Sequence, residues 1–163
     1  MNTTHLAIEA EKYRPGAKTG QSNEFTLISK LKPGGAERVR KRLAGGFTGE
    51  RQTNTDRIAT VHDLRFVIFD NDTRIIFAST FDGGWETYID DFAGILPDEI
   101  DLLFQEFDGY PGIHSPDIKD WIVKQQVTAV GFYSAYPDAS VRDVWKALKI
   151  KKAFDALLDT ASS

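Results

Sequence analysis

The sequence predicts an α+β domain: one antiparallel sheet of four strands with its two main helices on a single face. Three observations point there. Strand-like and helix-like runs follow one another in the order strand, helix, strand, strand, helix, strand, helix. The second strand is apolar on both parities at its centre, with Leu64, Phe66 and Ile68 on one side and Val67 and Phe69 on the other, so it needs cover above and below. A length of 163 residues, 41% hydrophobic and 27% charged, suits one compact domain with a real core.

In chain order, residues 1–23 are polar, contain Pro15, Gly16 and Gly20, and show no sustained period, which reads as a flexible N-terminal arm. Glu24–Leu31 (EFTLISKL) is the first strand and opens a domain spanning 24–136. Pro33-Gly34-Gly35 ends the strand and leads into a helix over Ala36–Leu43, with Val39 and Leu43 as its buried stripe. Gly45–Arg57 is a polar loop of a length that is usually functional or mobile. The second strand, Ile58–Phe69, turns through Asp70-Asn71-Asp72-Thr73, where Asn and Asp tolerate left-handed backbone, into the third, Arg74–Phe81.

Trp85, Tyr88, Ile89, Phe92 and Ile95 then recur at helical spacing, behind Asp82-Gly83-Gly84, where Asp82 is placed to cap the helix. Pro97 starts a short helix through Phe107 with Leu102, Leu103 and Phe104 inward, and Pro116–Gln125 makes another around Trp121 and Ile122. Val127–Tyr136 (VTAVGFYSAY) is the fourth strand, with Gly131 marking a bulge or a close approach. Residues 137–163 form a helical tail that opens on a capping-box-like Ser140-Val141-Arg142-Asp143. Its apolar phase slips between Leu148 and Ile150, which predicts a kink or two short helices near Lys149–Lys152.

This order is the split βαβ, or ferredoxin-like, arrangement with a helical insertion before the last strand. Its helices cover one face of the sheet, yet the strands are apolar on both. The second face is to be covered by the helical insertion, by the tail or by another copy of the chain; the last is favoured over a monomer covered by its own tail, and gives a homodimeric barrel of two sheets packed face to face.

Composition narrows the function. A formal net charge of -4 argues against nucleic acid as the main partner. The chain has no cysteine, which removes disulfides, thiolate metal sites and a cysteine nucleophile, and fits a reducing compartment. No run approaches the ~18 apolar residues of a membrane span, and Met1–Asn23 carries no leader-like apolar region, so a cytoplasmic protein without a membrane partner is expected. Pro33-Gly34-Gly35 lacks the Gly-Lys-Ser/Thr ending of a phosphate loop, and no nucleophile elbow or dinucleotide fingerprint occurs. His5, His62 and His114 are not at ligand spacing, and Asp90, Asp91, Asp98, Glu99 and Asp101 read as solvated helix faces, so no metal is expected.

The runs Val61–Ile68, Phe77–Gly83 and Trp85–Phe92 resemble the dimeric α+β barrel superfamily, most of all a segment of proteins related to the dye-decolourising peroxidases. The resemblance covers roughly residues 24–136 and implies the dimeric ferredoxin-like fold. The superfamily includes haem peroxidases, chlorite dismutases, haem-degrading enzymes and cofactor-free monooxygenases of aromatic polyketides, so the fold alone does not choose the chemistry. Dye-decolourising peroxidases carry two ferredoxin-like halves and a Gly-x-x-Asp-Gly motif. This chain holds one half and lacks the motif, so neither haem nor another cofactor is expected.

Three residues are the catalytic candidates. His62 lies in an apolar strand on the parity of Leu64 and Phe66, placed to act as base or ligand, or simply hydrogen-bonded near a strand end. Arg65, on the opposite parity, needs a carboxylate such as Asp63 or Asp91, or an anionic substrate group. Tyr88 can turn its hydroxyl into a pocket. Trp85, Phe66, Phe77 and Asp91 are the substrate-binding candidates. Three functions stay open: a small-molecule enzyme, such as a cofactor-independent oxygenase or isomerase of an aromatic or carbonyl substrate, a non-catalytic binding or accessory protein, and, as the resemblance implies, a haem-related protein. An RNA-recognition sheet is disfavoured, because Arg74-Ile75-Ile76-Phe77 lacks the Lys/Arg-Gly-aromatic motif.

Overall fold

The computed structural model describes residues 16–161, which form an α+β fold with five strands and six helices. In chain order these are β1 (Lys18–Thr19), β2 (Ser22–Lys30), α1 (Gly35–Leu43), α2 (Glu50–Asp56), β3 (Val61–Phe69) and β4 (Arg74–Asp82), followed by α3 (Trp85–Ile95), α4 (Pro97–Phe104), α5 (Ile118–Gln125), β5 (Gln126–Val127) and α6 (Val141–Ala161). The strands form one open antiparallel sheet. β2 and β4 are central, β3 is one edge, and β1 and β5 share the other edge along β2.

Register decides which side chains reach the core. Leu27 pairs with Phe77 and Phe77 with Phe66, while Ile75 pairs with both Ser29 and Ile68. One face therefore carries Phe25, Leu27, Ile75, Phe77 and Phe81, with Leu64, Phe66 and Ile68 half-buried at its edge. Val39 of α1, Tyr88, Ile89 and Phe92 of α3, Leu103 and Phe104 of α4, and Ile118, Trp121 and Ile122 of α5 pack on it. The helical stripe of α3 is buried as its spacing predicts. Leu102, expected inward on α4, is exposed.

The turn between β3 and β4 runs through three consecutive left-handed residues, Asp70, Asn71 and Asp72, as their side chains allow. Arg40 of α1 grips Asp72 through both guanidinium nitrogens, at 2.8 and 2.6 Å, and so pins the turn to the helix. Two basic neighbours on α1, Arg38 and Arg42, clamp the buried Glu106 from one side each. The basic run on α1 thus answers acidic groups elsewhere in the domain.

Further expectations need correction. The first strand begins at Ser22, and residues 16–23, assigned by the sequence to the arm, form the β1–β2 hairpin; residues 1–15 of that arm lie outside the described residues. Glu50–Asp56, inside the expected polar loop, is helical. The fourth strand is only Gln126–Val127, because β1 already pairs with Ser22 and Asn23, where the residues after Val127 would continue along β2. Residues 128–140 instead run past that edge, held where Gln21 N–H and Nε2 donate to the carbonyls of Pro137 and Asp138, each at 2.7 Å. Helix α6 is one continuous helix across Lys149–Lys152, not two short ones. Its apolar stripe changes side there while the backbone runs on, and both stripes are largely exposed, at Trp145 and Leu148 before the slip and at Ile150, Phe154 and Leu157 after it. Asp82, finally, makes no cap for α3.

Candidate functional site

A β-bulge decides the place of His62. β3 and β4 pair in register from Phe69 back to Asp63 opposite Thr80, and then Val61, not His62, stands opposite Phe81. The extra residue puts Val61 against the core and turns His62 off the parity of Leu64 and Phe66. His62 Nε2 lies 2.7 Å from Asp82 Oδ1. The other oxygen of Asp82 accepts the Val141 N–H at 2.7 Å, at the first turn of α6. Asp82 has the strand parity of Ala78 and Thr80, which face away from the helices. Serine and aspartate complete the start of α6: Ser140 N–H donates to Asp143 Oδ2 at 3.0 Å, and Asp143 N–H to Ser140 Oγ at 3.2 Å. This is the reciprocal cap the sequence announces, and it holds the Asp143 carboxyl below its ordinary range.

Tyr88 stands on the other side of the sheet, in the core. Its ring lies flat on Phe81 at 4.0 Å and edge-on to Phe92 at 4.9 Å. Its hydroxyl is bonded to the buried Ser79 Oγ at 2.5 Å. Burial pushes the phenol well above its usual range, and the Ser79 bond only partly opposes this. The core holds two small apolar voids of about 30 Å³ each, one against Tyr88, Tyr110 and Trp121, the other under Phe47 and Arg51. Phe77, Phe92 and Ile100 wall one from the other.

The remaining candidates are dispersed. Arg65 is an exposed side chain paired at 2.9 Å with Asp63, two residues away on the same face. Asp91 is half-buried on α3. Burial, then its neighbour Asp90, pushes its carboxyl up, while Arg142 of α6 opposes the shift, so the nearby cation is not Arg65. Trp85 is buried and donates through Nε1 to Gln126 Oε1 at 3.0 Å, tying α3 to β5. Phe66 and Phe77 touch at 5.0 Å within the core. Phe66 and Phe77 alone of the expected binding residues line a void together, while His62, Arg65 and Tyr88 occupy three separate environments.

Three polar residues have roles that the sequence did not assign to them. Ser79 is hidden as a small residue in an apolar strand. Asp82 was read as a cap, and its partnership with His62 and Val141 follows from pairings across the sheet. Glu106 had no signal of its own, although the basic run on α1 marked the partner side. Among the described residues, no cluster of three His, Asp or Glu side chains is placed to hold a metal, and no helix is long and apolar enough to cross a membrane. His114 is exposed, and His5 lies outside the described residues. Comparison with protein-family models, curated proteins and solved structures found no match.

Proposed function

We propose that this chain is a non-catalytic binding or accessory protein of the ferredoxin-like kind, working as a homodimer closed over the second face of its sheet. The order β5-β2-β4-β3 of the main strands, with α1 after β2 and α3 after the β3–β4 hairpin, supports the ferredoxin-like reading. The absence of cysteine accords with a reducing, cytoplasmic setting.

The observation that carries the proposal is the apolar surface on and beside that face. Val67 is 42% exposed at the β3 edge, with Ile28 and Ile76 half-buried behind it. Val130, Tyr133 and Tyr136 stand out from the segment after β5, Tyr133 at 85% exposure, and Trp145 follows on α6. Large apolar side chains left open at both edges of one face suit an interface. A second copy suits it because the face also carries Asp63 and Arg65, opposite charges that a two-fold axis brings onto one another.

A cofactor-independent oxygenase or isomerase would need a base and a substrate group in one cavity. Here the imidazole is bonded to Asp82 outside the core, and the Tyr88 hydroxyl is bonded to Ser79 within it. Light scattering on Val67→Asp tests the homodimer. The substitution places a charge on an exposed position that the single chain tolerates, so the mass should halve while the far-ultraviolet circular dichroism is kept. An unchanged mass would remove this face from the assembly.

A further inference from the structure

We propose that the space beneath α2 is a binding site for a small aromatic carboxylate, with α2 as its lid. Because this space lies on the helical side of the sheet, the site stands or falls independently of the homodimer.

The two voids flanking Phe77, Phe92 and Ile100 are each about 30 Å³, room for a water-sized group. A benzene-sized guest occupies roughly 150 Å³ in an apolar cavity, so it needs the space under α2 enlarged by raising the cover. The cover is built to rise. No residue of α2 is buried. The helix hangs from Gly46 and Gly49, both at positive φ, and rejoins the core only at the buried Ile58. One side-chain hydrogen bond ties it to α4, from Asn54 Nδ2 to Glu99 Oε1 at 3.0 Å. Ahead of it, Phe47 lies parallel to Phe66 with ring centres 6.5 Å apart, an aromatic plug over the lower void.

Arg51 chooses the ligand's polar end. It lines the rim, 6.0 Å over the Phe47 ring, and its guanidinium donates at 2.8 Å to the carbonyls of Gly46 and Arg42. A planar guanidinium above an apolar chamber gains more from a bidentate carboxylate than from two neutral carbonyls. Glu99, across the same rim, is engaged by Asn54 and repels any carboxylate not seated on Arg51. The ligand is thus a ring held beneath the raised α2 and a carboxylate short enough to stay at the mouth.

The test is amide-resolved NMR of the whole chain titrated with benzoate, benzyl alcohol and toluene. Benzoate should shift the amides of α2, Phe92 and Ile100 saturably, and bind at least about tenfold more tightly than benzyl alcohol. Arg51→Gln, at a rim position outside the core, should remove that preference, bringing benzoate to the affinity of benzyl alcohol for the same variant; Ile100→Phe, filling the space, should weaken all three probes. Shifts confined to other regions, no shift with any probe, equal affinity for benzoate and benzyl alcohol, or benzoate binding unaltered by Arg51→Gln would each overturn the proposal.

Discussion

His62 and Asp82 are bonded at 2.7 Å across a β-bulge, and the free oxygen of that same Asp82 holds the first amide of α6. One nearly buried carboxylate therefore joins the end of β3, the end of β4 and the start of the C-terminal helix. Asp82→Ala removes both partners at once and should destabilise the domain by about 1–3 kcal/mol. His62→Ala loses a single partner and should cost less. Urea denaturation ranks the two, and amide exchange at Val141 and Arg142 should quicken in Asp82→Ala alone.

The Ser79–Tyr88 bond is the polar centre of an apolar core. Tyr88→Phe strands the Ser79 hydroxyl, and Ser79→Ala strands the phenol, so each should cost about 1–3 kcal/mol. The double substitution removes both polar atoms and should cost clearly less than the sum. A double-mutant cycle in urea measures the coupling, expected at about 0.5–3 kcal/mol. Strict additivity would mean that the two hydroxyls do not depend on each other.

Glu106 brings a pH dependence. Its hydrogen bond to Arg38, seconded by Arg42, holds the carboxyl below its ordinary value of 4.5. The folded state therefore takes up the Glu106 proton less readily than the unfolded chain. The stabilisation is complete above the unfolded value and is lost as the pH falls through the depressed folded one. Glu106→Gln should be less stable than the parent at pH 7, and the two should converge in acid. Urea midpoints recorded from neutral pH downward show this directly.

Gly20 is required by a close approach. It turns β1 into β2 at φ +58, and a Cβ there would stand 2.1 Å from the Pro137 carbonyl oxygen. Gly20→Ala should cost at least about 1–2 kcal/mol of backbone strain and loosen residues 137–140 from Gln21, seen as faster exchange of the Gln21 amide. Gly131, with open space around its Cβ position, is the control: Gly131→Ala should leave that amide unchanged.

The local features were legible in the sequence. The Asp70–Thr73 turn, the α3 stripe and the Ser140–Asp143 cap each rest on neighbours within a few residues, where propensity and spacing act directly. The misplaced features depend on partners far along the chain. His62 left the expected parity because a bulge against β4 took up one residue, and nothing between Ile58 and Phe69 announces it. The last strand was cut short by competition with β1 for the β2 edge. α6 stayed one helix because a change of apolar side alters what a helix can bury and leaves its backbone hydrogen bonds intact. The scattering of His62, Arg65 and Tyr88 follows from the same cause: strand parity places residues only once the register is known.

Sedimentation equilibrium of the whole chain at micromolar concentration asks most directly whether a copy of the protein covers the second sheet face. A mass twice the 18.3 kDa of one chain is expected, falling to one chain in Val67→Asp. A single-chain mass at every concentration, with Val67 and Tyr133 open to water, would show that the face has no homotypic partner.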